Sequence, residues 1–285
     1  MMIQYGMRAH DCCEAGSLDH FFETVKQQGV RHIQLAFEKS IADYDFSYGH
    51  YSAGFADYIG RKVREQDLHV AILSCYINPV IPDEAARLAE VNRFIERLRY
   101  CKRMNADMVG TETGRFSMDM SVTPMTQSEE CYKLLLDSFS RIVDAAERLG
   151  VIVGVEGVFD HTLSSPEKMK RFLHDLASPA VEVILDAANL ISPETAKNPA
   201  LQNEIIDRAF QYYGDRISVL HLKDCVFDQN GVQVCTPPGE GLICYDSLMR
   251  NLKQQKPHII ALLEESNPKR FAGDCAFFDR EYDKA

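Results

Sequence analysis

Four β-like apolar runs in the second half of the chain each carry a potential metal ligand at the carboxyl end. Glu156 closes the run in VIVGVEG, Asp186 that in VEVILDAAN, His221 that in ISVLHLKD and Glu264 that in HIIALLEES. The gaps between these residues are 30, 35 and 43 positions, each enough for a loop, a helix and a returning strand. Such a rhythm calls for parallel strands, because parallel neighbours need a long crossover where antiparallel ones need only a tight turn. Parallel strands wound this way bring their carboxyl ends to one rim.

The alternation extends to the amino terminus. Strand-like runs cover 3–9, 31–37 and 68–77, and ADMVGTETG from 106 supplies a fourth. Helical spacing marks 17–29, with Ser17 as N-cap and Gly29 as stop, then 52–66 and about 83–104, ending at Asn105. Further helices are predicted over 127–149, 166–177, 198–213 and 245–255, and over 270–283 with Phe271, Phe277 and Phe278 as apolar face. Eight strands alternating with about eight helices predict an α/β chain closed into a (β/α)8 barrel. An open doubly wound sheet would carry a glycine-rich first turn, and RAHDCCEAGS after the first strand has no GxGxxG. No linker or low-complexity stretch divides the chain, so residues 1–285 are expected to form one domain.

Composition removes several function classes. A formal charge of −11 argues against a nucleic-acid partner, whose phosphates are bound by Lys and Arg. The nine cysteines are odd in number and contain no CxxC, so neither a disulfide framework nor a thiolate zinc site is expected. Reduced thiols point to a cytoplasmic protein. MMIQYGMRAHDCC has no basic segment followed by an apolar run, hence no signal peptide. No stretch approaches the roughly 18 apolar residues of a membrane span.

Side-chain alternation checks the metal reading. Ile152, Gly154 and Glu156 share one strand face, as do Ile217, Val219 and His221, so both ligands can point inward. Glu264 and Glu265 lie on opposite faces; Glu264, directly after the apolar run, is favoured. Two Glu, one Asp and one His make an oxygen-rich divalent-metal set, and three acids at one rim repel unless a cation neutralises them.

Other residues stand at strand ends too. Glu112 and Arg115 in TETGR offer proton transfer and a bidentate grip on a carboxylate or phosphate, or else an ion pair that fixes the loop. His161 follows strand five, Tyr76 and Asn78 follow strand three, and Phe37 ends strand two. With no Trp in the chain, stacking on a sugar falls to Phe or Tyr, which makes Phe37 a candidate wall. Gly239 and Gly241 in PPGEG are read as a tight loop. The tyrosine-rich 44–51 loop and the aromatic tail offer packing to a second subunit, hence a homo-oligomer, or to the chain's own rim.

The ordered set SCYINP, VGTETGR, VGVEG, LDAAN, HLKD, PPGEG and ALLEES resembles the xylose-isomerase-like TIM-barrel superfamily. Within it the chain looks like the sugar-phosphate isomerase/epimerase type that includes the ketohexose 3-epimerases. The resemblance implies a small-molecule sugar or sugar phosphate as substrate. It also implies one divalent ion (Mn, Zn, Co or Mg) on Glu156, Asp186, His221 and Glu264, with Glu156 and Glu264 as the acid–base pair. The chemistry is coherent: a proton α to a carbonyl leaves only if the developing enediolate oxygen is stabilised, and a carboxylate on each face removes and returns it. The chain departs from the epimerase pattern at Asn189, where those enzymes carry a substrate-contacting His, and at Lys223, nearest the place of their substrate Arg. Both remain substrate-binding candidates. Alternatives are dehydration of an inosose-like ring and a non-catalytic sugar-binding barrel. An AP endonuclease needs several His at carboxyl strand ends, whereas His32, His69 and His258 begin their strands.

Overall fold

The computed structural model describes residues 3–285. Ten strands occur along this span: β1 (Gln4–Arg8), β2 (His32–Leu35), β3 (His69–Ser74), β4 (Ala106–Glu112), β5 (Ile152–Glu156), β6 (Val181–Asp186), β7 (Ile217–Leu222), β8 (Asp224–Phe227), β9 (Gln233–Thr236) and β10 (Ile260–Leu263). The first seven and β10 form a closed parallel barrel in sequence order, with β10 between β7 and β1. The fold is the (β/α)8 barrel that the alternation predicts. Strands β8 and β9 are an antiparallel hairpin outside it, absent from the sequence reading. Among the described residues no helix is long and apolar enough to cross a membrane.

Helix boundaries follow from their caps. The side chains of Ser52, Asp83, Ser128, Ser165 and Asn198 accept first-turn amides and start the helices Ala53–Glu65, Glu84–Tyr100, Glu129–Leu149, Pro166–Leu176 and Pro199–Tyr213. Gly150, at φ 61°, ends the third of these. Two helices differ from expectation at their ends. The helix assigned to 17–29 begins only at Phe21 and ends at Gln27. Leu18 is tied by its amide to Asp43 and Gly16 bridges Ile41, so the backbone around Ser17 serves the 40–43 segment instead. The helix expected to reach 104 stops at Tyr100, and the chain turns through a left-handed Asn105 at φ 59° into β4.

Two apolar cores result. The larger lies between the strands and the surrounding helices. A smaller plug of Ala71, Ile72, Met108, Ile184, Val219 and Leu262 fills the barrel interior. Gly110 and Gly154 are required there, because a Cβ at either would collide with Ile184 and with Ile72 or Met108. The site stands on this plug: Val219 belongs to it, and His221, two residues on, faces the same way at the rim.

Segment 37–52 packs its aromatic side chains against its own barrel. Phe37 opens the one-turn helix Phe37–Ser40 and stacks on Phe46 at 4.8 Å between centroids. Tyr44 stacks on Phe55 at 4.4 Å. Beneath them Arg97, 1% exposed, lays its guanidinium 3.9 Å from the Tyr51 ring and pairs with Glu38. Phe271 and Phe277 are half-buried and Phe278 fully buried in the closing helix Phe271–Lys284, as its apolar face predicts. All nine cysteines are free thiols.

Candidate metal and substrate site

Strand ends β5, β6 and β7 place Glu156, Asp186 and His221 together, each 1% exposed. One ligand atom from each lies within 4.8 Å of the others. Glu264 follows β10, and its amide donates to the Leu222 carbonyl at 3.1 Å, prolonging the ladder by one residue. That extra rung turns the Glu264 carboxylate inward, where Oε1 stands 3.4 Å from His221 Nδ1. Glu265 takes φ 53° and swings outward to pair with Arg8 at 2.6 Å.

The carboxylates are held from several sides. Asn189 donates its side-chain amide to Glu156 Oε1 at 2.6 Å and its backbone amide to Asp186 Oδ1 at 3.1 Å. Tyr76 donates its hydroxyl to Glu156 Oε2 at 3.2 Å. Lys223 bridges Asp186 Oδ2 at 2.8 Å and Glu264 Oε2 at 2.9 Å. The Glu264 contact is an aligned hydrogen bond; the Asp186 contact lies off the hydrogen-bond direction and acts through charge.

His221 is the test of whether these residues fit a metal. Both its ring nitrogens are buried with no hydrogen-bond partner, although Nδ1 is 3.2 Å from Glu156 Oε2. A buried polar group is normally satisfied, so an imidazole aimed between carboxylates without bonding them has the donor chemistry of a ligand. The residues fit a divalent ion.

Crowding sets the protonation states. Burial, then the charges of Glu156 and Glu264, push the Glu112 carboxyl up to about 8. Burial raises Asp186 to about 6 against the pull of Lys223. For His221, burial favours the neutral ring, yet Glu264 and Glu156 outweigh it and raise the imidazole to about 9. Glu264 is also buried, but Lys223, His221 and Arg8 hold it below the ordinary carboxylate range. Lys223 stays charged: burial opposes its charge, and Asp186, Glu264 and Glu156 overcome that.

Above the cluster opens a cavity of about 660 Å³. Of the residues expected at the site, Tyr76, Glu112, Arg115, His161, Asn189, Lys223 and Glu264 line it. Phe37 does not. It is fully buried behind the wall in the aromatic cluster, because the chain leaves β2 as a helical turn and rotates its ring outward from the barrel axis. Asn78 is likewise structural, donating to the carbonyls of Arg115 and Ser117. Arg115 is committed to Asp160 at 2.5 Å and to the Met120 carbonyl at 2.7 Å, so its ion-pair partner is Asp160 and not Glu112. His161 is 4% exposed, with Nδ1 3.7 Å from Glu112. Burial and the Arg115 charge push it down to about 4, so it is a neutral imidazole.

Sequence reasoning missed Arg8, His10, Gln34, Arg93 and Gln233, all on the cavity wall. Gln34 had a signal, as the one polar residue within the apolar run IQLAF. Gly239 and Gly241 serve a tight loop as read: the buried Asp224 carboxylate accepts the amides of Cys225, Gly239, Gly241 and Ile243 at 2.8–3.2 Å.

A family model described as xylose isomerase-like TIM barrel matches residues 22–281. No curated protein sequence matches the chain. Among solved structures, a D-tagatose 3-epimerase-like protein superposes with TM-score 0.73 at 15% identity, covering 99% of this chain and 97% of its own. IOLI protein, solved with a zinc atom, gives 0.72 at 17%, covering 99% and 96%. A xylose isomerase-like protein from Mycobacterium smegmatis, solved with magnesium, gives 0.67 at 14%, covering 97% and 98%.

Proposed function

The chain belongs to the xylose isomerase-like TIM barrel family, and from that premise and its site we propose a divalent-metal-dependent isomerase or epimerase of an uncharged ketose. The observation that carries this is His221: a buried imidazole, unbonded at both nitrogens, facing Glu156 and Glu264 beside Asp186. Relatives of the fold solved with zinc and with magnesium, and one described as tagatose 3-epimerase-like, support the reading.

Glu156, Asp186, His221 and Glu264 would hold the ion, whose charge stabilises an oxyanion developing next to the carbon that loses its proton. This chain's own groups supply the rest. Asn189 and Tyr76 fix both oxygens of Glu156, and Lys223 fixes Glu264, so the two carboxylates stand oriented to remove and return a proton.

The preference for an uncharged substrate rests on ion pairing around the cavity. Arg8 is paired with Asp11 and Glu265, Arg93 with Glu90, Arg115 with Asp160, and Lys223 with Asp186 and Glu264. A phosphate would have to break one of these pairs or rely on the exposed Lys39. A second reading, dehydration of a ring ketone, draws on Glu112. Protonated near neutrality, its carboxyl can give a proton to a departing hydroxyl.

The test starts with metal content in protein purified without added metal, alongside Glu156→Gln and His221→Ala. About one ion per chain, lost in both variants, is the expected result and licenses a screen of ketoses for solvent deuterium next to the carbonyl. No ion in the wild type even after soaking with manganese or zinc would sink the mechanism. Loss of water from a ring ketone, without exchange into open-chain ketoses, would favour the second reading.

A further inference from the structure

The acid cluster lies on the β5–β10 side of the cavity; the opposite wall, built from β1 and β2, carries polar groups without partners. Gln34 is 2% exposed and lines the cavity. Its amide nitrogen donates to Ser74 Oγ at 3.0 Å and to the Tyr76 hydroxyl oxygen at 3.1 Å. The orientation of the amide follows from Tyr76, whose only proton goes to Glu156, so toward Gln34 it can only accept. With both N–H bonds committed, the Gln34 carbonyl oxygen remains, buried and unpartnered.

His10 repeats the situation on the neighbouring strand end. It lies two residues beyond Arg8, which is the register partner of Gln34, and it lines the same cavity. Both its ring nitrogens are buried without a hydrogen-bond partner; the nearest carboxylate, Asp11, stands 4.0 Å away. Two unsatisfied polar side chains in one cavity, one on β2 and one on the helical turn Ala9–Cys12 that follows β1, mark a place where a ligand completes the hydrogen bonding.

We propose that Gln34 and His10 form a hydroxyl-reading wall that selects the ketose, the Gln34 carbonyl accepting from one substrate hydroxyl and His10 binding another. The inference rests on the sugar-binding reading and assigns it a specificity subsite. An amide oxygen accepts only, so it suits the O–H of a polyol and repels a carboxylate or phosphate. Gln34 is also linked through Tyr76 to Glu156, so the residue that reads the hydroxyl is two hydrogen bonds from a proposed proton-transfer group.

The experiment is saturation-transfer NMR with D-tagatose, D-fructose and L-ribulose and their monodeoxy forms, which needs no turnover. In the wild type, one deoxy position should weaken binding about tenfold or more, the size of one lost hydrogen bond to a buried acceptor. Gln34→Met should bind the parent sugar about tenfold more weakly and lose that discrimination. Ser74→Ala, which removes one internal hydrogen bond but leaves Tyr76 to fix the Gln34 amide, should keep it. His10→Phe should abolish discrimination at a different position and serves alone if Gln34→Met fails to fold. Unchanged deoxy ratios in Gln34→Met or His10→Phe overturn the proposal, as does identical behaviour of Gln34→Met and Ser74→Ala. A wild type that binds none of the probes overturns it as well. Binding without solvent deuterium incorporation would sink only the reaction, leaving the subsite.

Discussion

Asp224 gives the sharpest test of how the site's rim is held. Its carboxylate is 1% exposed and accepts four backbone amides: Oδ1 takes Cys225 and Ile243, and Oδ2 takes Gly239 and Gly241. The glycines are part of the arrangement. Gly239 sits at φ 90°, and a Cβ on Gly241 would collide with the carboxylate itself. Replacing Asp224 by Ala leaves four amides with no acceptor. At about 1 kcal/mol for each amide that fails to find water, the loss is about 4 kcal/mol. For a chain of this size that lowers Tm by about 7 °C.

Asp224→Asn separates hydrogen bonding from packing, because it keeps the shape. One oxygen can still serve Cys225 and Ile243, but the new NH2 must face the Gly239 and Gly241 amides, donor against donor. The expected loss is at least half that of the alanine variant, about 2 kcal/mol or more. Denaturant midpoints for both variants, with hydrogen exchange over 237–243, read the effect. If Asp224→Asn lies within about 0.5 kcal/mol of the wild type, the side chain acts through packing and the argument fails.

Three further outcomes follow from other parts of the molecule. His32 and His69 meet with their Nδ1 atoms 3.0 Å apart at the amino-terminal rim, and burial followed by the charges of His69 and Arg31, against Asp107, lowers the His32 pKa. Folding therefore favours the neutral ring, so this stability is full above the ordinary histidine value of about 6.5 and is lost as pH falls through the depressed one. Urea midpoints should drop between pH 8 and pH 5 more steeply in the wild type than in His32→Asn; equal slopes would refute it. Arg97→Met should cost about 1–2 kcal/mol, chiefly the lost contact over the Tyr51 ring because Glu38 is half exposed, with exchange in 41–52 rising first; protection there equal to the wild type would refute the anchoring role. For the metal, His221 raised to about 9 must lose its proton to act as ligand, so affinity should climb toward tenfold per pH unit from 7 to 9. Flat affinity over that range, by competition with a chelator, would exclude His221.

The barrel was legible because its signals are local and repeated. Apolar runs of strand length alternate with helices, and side chains such as Ser128 or Asn198 cap where a helix-forming stretch begins. The Ser17 helix misled because a cap residue cannot announce that Gly16 and Leu18 are tied to residues 41 and 43. The β8–β9 hairpin had a signal that went unused: Asn230-Gly231 between DCVF and QVCT, with Gly231 at φ 76°. At the site, strand alternation pointed Glu156 and His221 inward, and recurrence at a strand end brought Asp186 to the same rim. Glu264 versus Glu265 was undecidable from the letters, since it depends on one further rung to Leu222 and a left-handed turn at 265. Arg115 was ambiguous for another reason: its partner Asp160 is 45 residues away, and no spacing rule connects them.

The electrostatics of the floor explain why such a cluster persists in a folded chain. Four acids, Glu112, Glu156, Asp186 and Glu264, meet where water is scarce, and burial opposes the charge of each one whose balance is resolved. Each of those three escapes by a different route. Glu112 keeps its proton, Asp186 stays near ionisation beside Lys223, and Glu264 draws on Lys223, His221 and Arg8 together. The balance is made of a mobile proton on His221 and an ammonium that reaches the cavity, rather than of rigid apolar packing. Beneath lies the plug of Ile184, Val219 and Leu262, wholly apolar and without an ionisable group, so the charges of the site are confined to the layer above it. On the proposed function, the buried carboxylates of this rim are the ones that would receive a cation, and the strands bearing them stand on an apolar layer beneath.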